Sequence, residues 1–137
     1  MIGREYKAED LNVLSLAYLG DSIQTAYVRA RVVSVKGGKV DDLHRICSKL
    51  VSATVQARAS ELLQAYLSES ESSVFHRARN CKNKQGAKNA DIGDYRKATG
   101  LEAVFGYLYL KKEEDRLNEL LAKVLELSMA YVEGCEV

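Results

Sequence analysis

The chain has 137 residues, 47% of them hydrophobic, which fits one folded domain and argues against intrinsic disorder. It has no proline and only 9 glycines, which argues against a turn-rich β fold. Its 3 widely separated cysteines argue against a disulfide scaffold and a zinc ribbon, and favour reduced thiols in a cytoplasmic protein. No apolar run approaches the length of a membrane span, and Arg4 and Glu5 come before any apolar run. We therefore expect neither a membrane anchor nor a secretion signal.

The first half of the chain has helical periodicity. Over residues 11–33 the apolar side chains recur mostly at steps of three and four residues, which predicts a first helix. Glu9 or Asp10 occupies the position at which an acidic residue caps such a helix. The two glycines within residues 36–39 are typical of a turn, and a second helix is predicted over residues 41–67, with an aspartate in its first turn.

The middle of the chain contains a helix start followed by a polar segment. Ser68 and Glu71 have the spacing of a capping box, which predicts a third helix that continues through Phe75. Residues 80–89 are polar, basic and rich in residues that favour loops. A loop of this length inside a compact domain is more often functional than accidental.

The last third of the chain is again helical. Asp91 begins a short predicted helix that ends near Tyr95, and Thr99 is predicted to cap a separate helix with an apolar side. A final helix is predicted from about Glu113 to Val132. Because helical patterns cover most of the chain, without a linker or an internal repeat, we predict an all-α fold in which residues 1–137 form a single domain.

Two acidic residues stand within apolar helical segments. Asp21 follows Gly20, and a glycine inside a helix costs about 1 kcal/mol against alanine, which suggests that another helix or a ligand approaches the backbone there. Glu102 lies one turn into a later predicted helix, among apolar residues. Taken alone, each has a structural explanation: Asp21 as an exposed acid on a solvated face, and Glu102 as an acid that complements the helix dipole.

The charge of the chain is unevenly distributed. Residues 77–97 contain seven basic and two acidic residues, a local charge of +5, whereas the remainder has 13 basic and 17 acidic residues, a charge of −4. Arginine, lysine and amide side chains together are suited to binding phosphates, so this segment favours nucleic-acid contact over a merely solvated loop. The candidate residues for nucleic-acid contact are Arg77, Arg79, Asn80, Lys82, Lys84, Lys88 and Arg96.

Several short motifs resemble a known family. Leu16–Ser22 (LAYLGDS) resembles the signature helix of ribonuclease III, and Glu102 within Ala98–Ala103 (ATGLEA) matches the glutamate of that family's second element. The order of the motifs, over about two-thirds of the chain, is most similar to Mini-ribonuclease III, a subgroup that has the catalytic domain without a double-stranded-RNA-binding domain. In chain order the motifs are Tyr18–Asp21, Asp42–Arg45, Val51–Ala53, Arg77–Asn80, Tyr95–Ala103 and Gly106–Leu110.

The resemblance implies an endoribonuclease that hydrolyses double-stranded RNA with Mg²⁺, for which Mn²⁺ could substitute. It implies that Asp21 and Glu102 are the catalytic residues and the metal ligands, since the family presents carboxylates to magnesium at these positions. It also implies a ribonuclease III-like helical domain that forms a symmetric homodimer, precursor 23S ribosomal RNA as the substrate, and a large-subunit ribosomal protein as an accessory partner.

The chain departs from the full-length enzymes at three positions where they have acids: Leu14, Ala17 and Thr99. Because Mg²⁺ accepts one or two protein carboxylates when water and substrate phosphate complete its coordination, two acids still allow catalysis, and we expect weak metal binding without RNA. The missing acids leave an alternative open, a non-catalytic helical module that binds RNA or associates with the ribosome.

Overall fold

The computed structural model describes residues 3–81 and 91–135, which form six α-helices and two short 3-10 turns without a β-strand. The helices are α1 (Val13–Lys36), α2 (Val40–Leu50), α3 (Ala53–Leu63), α4 (Glu69–Asn80), α5 (Ile92–Leu110) and α6 (Glu114–Cys135). This confirms the predicted all-α fold. Within the described ranges, no helix combines the length and apolar character needed to cross a bilayer.

Helix α5 is at the centre of the fold, with α1, α3 and α4 packed against it. Five of its side chains are completely buried: Leu101, Ala103, Val104, Phe105 and Leu108. Gly100 allows α4 to approach closely, because a Cβ atom there would lie 2.8 Å from the ring of Phe75. Burial of the four large side chains among those five stabilises the position of α5 relative to its neighbours, at about 1.5–3 kcal/mol for each.

A second, smaller apolar cluster joins α1, α2 and α6. Its buried members are Val28, Val32, Cys47, Leu50 and Leu125. Helix α6 also packs along α3, so it closes the side of the bundle formed by α2 and α3. The three cysteines are free thiols, as the sequence predicted.

The ends of the helices confirm some predictions and correct one. The capping box of Ser68 and Glu71 is present at the start of α4. The predicted cap of α1 was wrong, because Asn12 accepts the backbone N–H of Leu14 at 2.8 Å instead. The Glu9 carboxylate pairs with Lys111 at 3.2 Å, so it is drawn toward the end of α5 and away from the first turn of α1.

Two helix boundaries also differ from the prediction. The segment 41–67 is not one helix, because the chain turns at Val51 and Ser52 between α2 and α3. The apolar side chains keep their spacing of three and four residues across the two-residue break, so the sequence pattern does not reveal it. Conversely, α5 is one helix where two were predicted. Thr99 lies inside it, and its hydroxyl donates to the Tyr95 carbonyl at 2.9 Å, a bond available only in a helix interior.

Candidate active site

The candidate active site lies where α1 crosses α5, and two glycines make the crossing possible. A Cβ atom on Gly20 would lie 1.7 Å from the carbonyl oxygen of Glu102, and one on Gly106 would lie 2.0 Å from the carbonyl oxygen of Leu16. Neither position can hold a side chain unless the helices separate. The prediction that something approaches Gly20 closely is confirmed, and the approaching element is the backbone of α5.

This crossing brings the two predicted carboxylates together. Asp21 follows Gly20 and has an exposed side chain, whereas Glu102 is largely buried beside it. The two carboxyl groups are close enough for a hydrogen bond between them. Asp21 is therefore more than an acid on a solvated face. Glu102 lies in the interior of α5, ten residues after the helix begins at Ile92, so the dipole explanation for Glu102 was wrong.

The surroundings of Glu102 oppose its ionisation. Burial, the neighbouring charge of Asp21 and the hydrogen bond with Asp21, in decreasing order of effect, together raise the pKa of the Glu102 carboxyl from its usual value of 4.5 to about 9. Two carboxylates at one site repel each other unless a proton or a cation lies between them. The site is thus suited to a divalent cation, whose charge favours the ionised form of both groups.

The donor set fits a hard cation with few protein ligands. Within residues 3–81 and 91–135, no group of three or more histidine, cysteine, aspartate or glutamate side chains is arranged to hold a metal. Ala17 and Thr99 are buried and supply no carboxylate, and the Thr99 hydroxyl is engaged by its own helix. A pair of carboxylates suits Mg²⁺, which commonly keeps water and substrate phosphate as its remaining ligands.

The predicted RNA-contact residues lie at two helix ends. Arg77, Arg79 and Asn80 are in the last part of α4, where Arg79 Nε donates to Asn80 Oδ1 at 3.2 Å. Arg96 is exposed near the start of α5, the helix that carries Glu102. Lys82, Lys84 and Lys88 belong to the segment between α4 and α5 and lie outside the described residues. The described basic residues therefore flank that segment on both sides.

One contributor to the site, Gly106, was not recognised as such from the sequence. It lies in the Gly106–Leu110 motif, but its reciprocal contact with Leu16 appears only when the helices are packed. The signal that could have identified it is a second glycine inside an apolar helical segment. Such a glycine lowers the helix propensity as Gly20 does, and so also predicts a close contact with the backbone.

Comparison with known proteins agrees with this fold. A sequence profile of the Ribonuclease III domain matches residues 14–113, a range that includes both carboxylates and the helices that carry them. The fold and the profile define the chain as an endoribonuclease of the ribonuclease III type.

Individual relatives narrow the assignment. The chain is 42% identical to the Mini-ribonuclease 3 of Clostridium tetani over 92% of this chain and 86% of that protein. It is 42% identical to the Mini-ribonuclease 3 of Staphylococcus aureus over 85% of this chain and 89% of that protein. A crystal structure of a Fusobacterium nucleatum protein matches with a TM-score of 0.78 and 26% identity, over 89% of this chain and 98% of that one. The chain therefore belongs to the Mini-ribonuclease 3 (Mini-ribonuclease III) group of the ribonuclease III family.

Proposed function

We propose that the chain hydrolyses phosphodiester bonds in double-stranded RNA with Mg²⁺, and that Asp21 and Glu102 hold the cation. The observation that supports this most strongly is the meeting of the two carboxyl groups at the α1–α5 crossing. By resemblance to its family, we further propose that residues 1–137 act as a single domain, in the cytoplasm, as a symmetric homodimer. The proposed substrate is precursor 23S ribosomal RNA, with a large-subunit ribosomal protein as an accessory partner.

The carboxylates have distinct tasks in this proposal. Bound Mg²⁺ supplies a water of lowered pKa and positive charge for the leaving oxygen. Glu102 would hold the cation as a carboxylate and would give up its proton to solvent on binding, because burial and Asp21 raise its pKa to about 9. Asp21 is exposed, so its carboxylate faces the side from which a substrate phosphate can enter. Gly20 of α1 contacts the backbone of α5 at Glu102, and this contact fixes the distance between the two helices that carry the acids.

The basic residues present the RNA strand. Arg77, Arg79, Asn80 and Arg96, together with Lys82, Lys84 and Lys88, are proposed to contact phosphates. A-form duplexes are recognised mainly through phosphates and 2′-hydroxyls, so a basic surface of this kind needs no base-specific contacts. A symmetric dimer would double this surface and place one carboxylate pair near each strand.

A second function is favoured by one observation. Leu14, Ala17 and Thr99 supply no carboxylate near the site, which is what a module that binds RNA without cleaving it would show. Such a module would keep the basic surface, but the paired carboxyl groups would have no role in it.

Cleavage of a long duplex RNA, with and without Mg²⁺, tests the proposal. Wild type should give fragments only with Mg²⁺. Asp21→Asn and Glu102→Gln should each slow cleavage at least about 100-fold, since even the loss of a residue that only supports a metal ligand costs about 10–100-fold. Both variants should keep wild-type helix content and RNA affinity. Asp41→Asn, which removes an exposed acid on α2, is the matched control and should cleave normally. An intact RNA band, shifted by wild type with or without Mg²⁺, would support the non-catalytic module instead.

A further inference from the structure

A pair of buried glutamines lies one helical turn from the carboxylate site. Gln56 on α3 donates from its side-chain nitrogen to the side-chain oxygen of Gln24 on α1, at 2.6 Å. Each of the two residues is only 2% exposed. Gln24 follows Gly20 by four residues and Asp21 by three, so all three lie on the same side of α1.

The hydrogen bond spans two helices that are not close neighbours. Both α1 and α3 pack against α5, whereas the backbones of α1 and α3 scarcely approach each other in the part of the chain that the structure describes. The two long amide side chains bridge this space directly beside the α1–α5 crossing. A hydrogen bond depends on direction as well as distance, so this one restricts the rotation of α1 about its own axis.

Stability alone does not account for these residues. A buried hydrogen bond contributes only about 0.5–1.5 kcal/mol net, and replacing both partners by apolar groups of similar shape can be nearly neutral. Most of the surrounding core is apolar, and Leu63, Leu101 and Val104 are completely buried in it. An apolar pair could therefore fill the same space without the cost of burying two amides.

We propose that Gln24 and Gln56 are positioning residues, which hold α1 at the rotation that lets Asp21 share a divalent cation with Glu102. This inference rests on the proposed function. A rotation of α1 by about 15° would move a group about 6 Å from the helix axis by roughly 1.5 Å. Mg²⁺ requires oxygen ligands at about 2.0–2.1 Å in near-octahedral geometry, so a displacement of that size would weaken binding.

The double variant Gln24→Leu/Gln56→Leu tests the proposal, because it removes the hydrogen bond and leaves neither amide unpaired. Mn²⁺ binding, followed by electron paramagnetic resonance without RNA, should weaken about tenfold. The Mg²⁺ concentration that gives half-maximal cleavage of duplex RNA should rise by a similar factor. The affinity for RNA without metal should not change. If the double variant folds poorly, Gln56→Asn serves as the second test. It retains an amide that is too short to reach Gln24, and it should show the same two losses.

Gln64→Leu provides the matched control. Gln64 lies directly after α3, and its side-chain nitrogen donates to the Ser60 carbonyl within α3 at 2.8 Å, so it does not bridge to α1. This variant should keep wild-type Mn²⁺ binding and Mg²⁺ dependence.

Two different results would separate this inference from the proposed function. Wild-type Mn²⁺ affinity and Mg²⁺ dependence in both the double variant and Gln56→Asn would overturn the positioning role, even if cleavage requires Asp21. Cleavage that is unaffected by Asp21→Asn would instead overturn the proposed function, and the positioning role with it.

Discussion

The protonation of Glu102 links the metal site to the stability of the fold. Burial, the charge of Asp21 and the hydrogen bond between the two groups raise the pKa of the Glu102 carboxyl to about 9, from 4.5. Below pH 4.5 Glu102 is protonated in both the folded and the unfolded protein, so it does not lower the free energy of unfolding. As the pH rises toward 9, the unfolded state loses this proton more readily than the folded state, and the metal-free protein becomes progressively less stable. A divalent cation between the two carboxylates would relieve the repulsion between them, so this repulsion favours cation binding.

We therefore predict that Glu102→Gln stabilises the metal-free protein at neutral and alkaline pH. Glutamine has the shape of a protonated glutamate and cannot ionise. The advantage of the variant over wild type should be absent at pH 4.5 and grow to the order of 1–3 kcal/mol by pH 9. Urea denaturation with a chelator at several pH values measures this difference.

Glu61→Gln is the control, because the pKa of Glu61 is shifted in the opposite direction to that of Glu102. A hydrogen bond from Lys97 lowers the pKa of the exposed Glu61 carboxyl, so its removal should leave stability unchanged or slightly reduced at neutral pH. An advantage of Glu102→Gln that stays constant from pH 4.5 to 9 would show that the ionisation of Glu102 is not opposed by its surroundings.

At the scale of the helices, the α1–α5 crossing is the feature that creates the site. The sequence identified Asp21 and Glu102 through their motifs, and the cost of Gly20 predicted a close contact. It could not show that the two acids meet, because the distance between residues far apart in the chain depends on how helices pack. The contact of Gly106 with the Leu16 carbonyl likewise arises only from packing.

Gly106→Ala should disrupt this crossing. The new methyl group would lie 2.0 Å from the Leu16 carbonyl oxygen, so α1 must move away from α5. We expect a loss of about 1–3 kcal/mol in unfolding free energy and a larger loss of cleavage than of RNA binding. Gly134→Ala in α6 is the matched control, because nothing lies within 4 Å of its new methyl group. It should leave activity unchanged and stability unchanged or slightly higher. Full activity in Gly106→Ala would contradict the role of the crossing.

Some helix boundaries could be predicted from the sequence and others could not. The break between α2 and α3 was missed because the apolar spacing continues across Val51 and Ser52. The continuity of α5 was missed because Thr99 resembles a cap, although inside a helix its hydroxyl can bond to the carbonyl four residues earlier. The capping box of α4 was predicted correctly because both of its bonds are local and depend on Ser68 and Glu71 alone.

For the whole molecule, the uneven charge predicts how RNA affinity responds to salt. The segment 77–97 carries a local charge of +5, while the rest of the chain is acidic, so attraction to phosphate should be concentrated there. Arg77→Ala/Arg79→Ala should weaken duplex binding and reduce the slope of log affinity against log salt by about 2. Binding is measured with a chelator to prevent cleavage.

Arg29→Ala/Arg31→Ala makes the same change of charge with two exposed arginines of α1. It should reduce the slope less than the first pair does. Equal slopes for both pairs would mean that net charge alone governs affinity and that the α4 residues have no special role.

Anomalous scattering from Mn²⁺ soaked into crystals of the protein is the sharpest test of a cation held by Asp21 and Glu102, because it locates the cation without reference to activity. We expect a peak between the Asp21 and Glu102 carboxyl groups at the α1–α5 crossing, and the loss of that peak in Asp21→Asn crystals. Mn²⁺ bound at another position of the wild-type protein, with the space between these two carboxyl groups empty, would contradict this expectation.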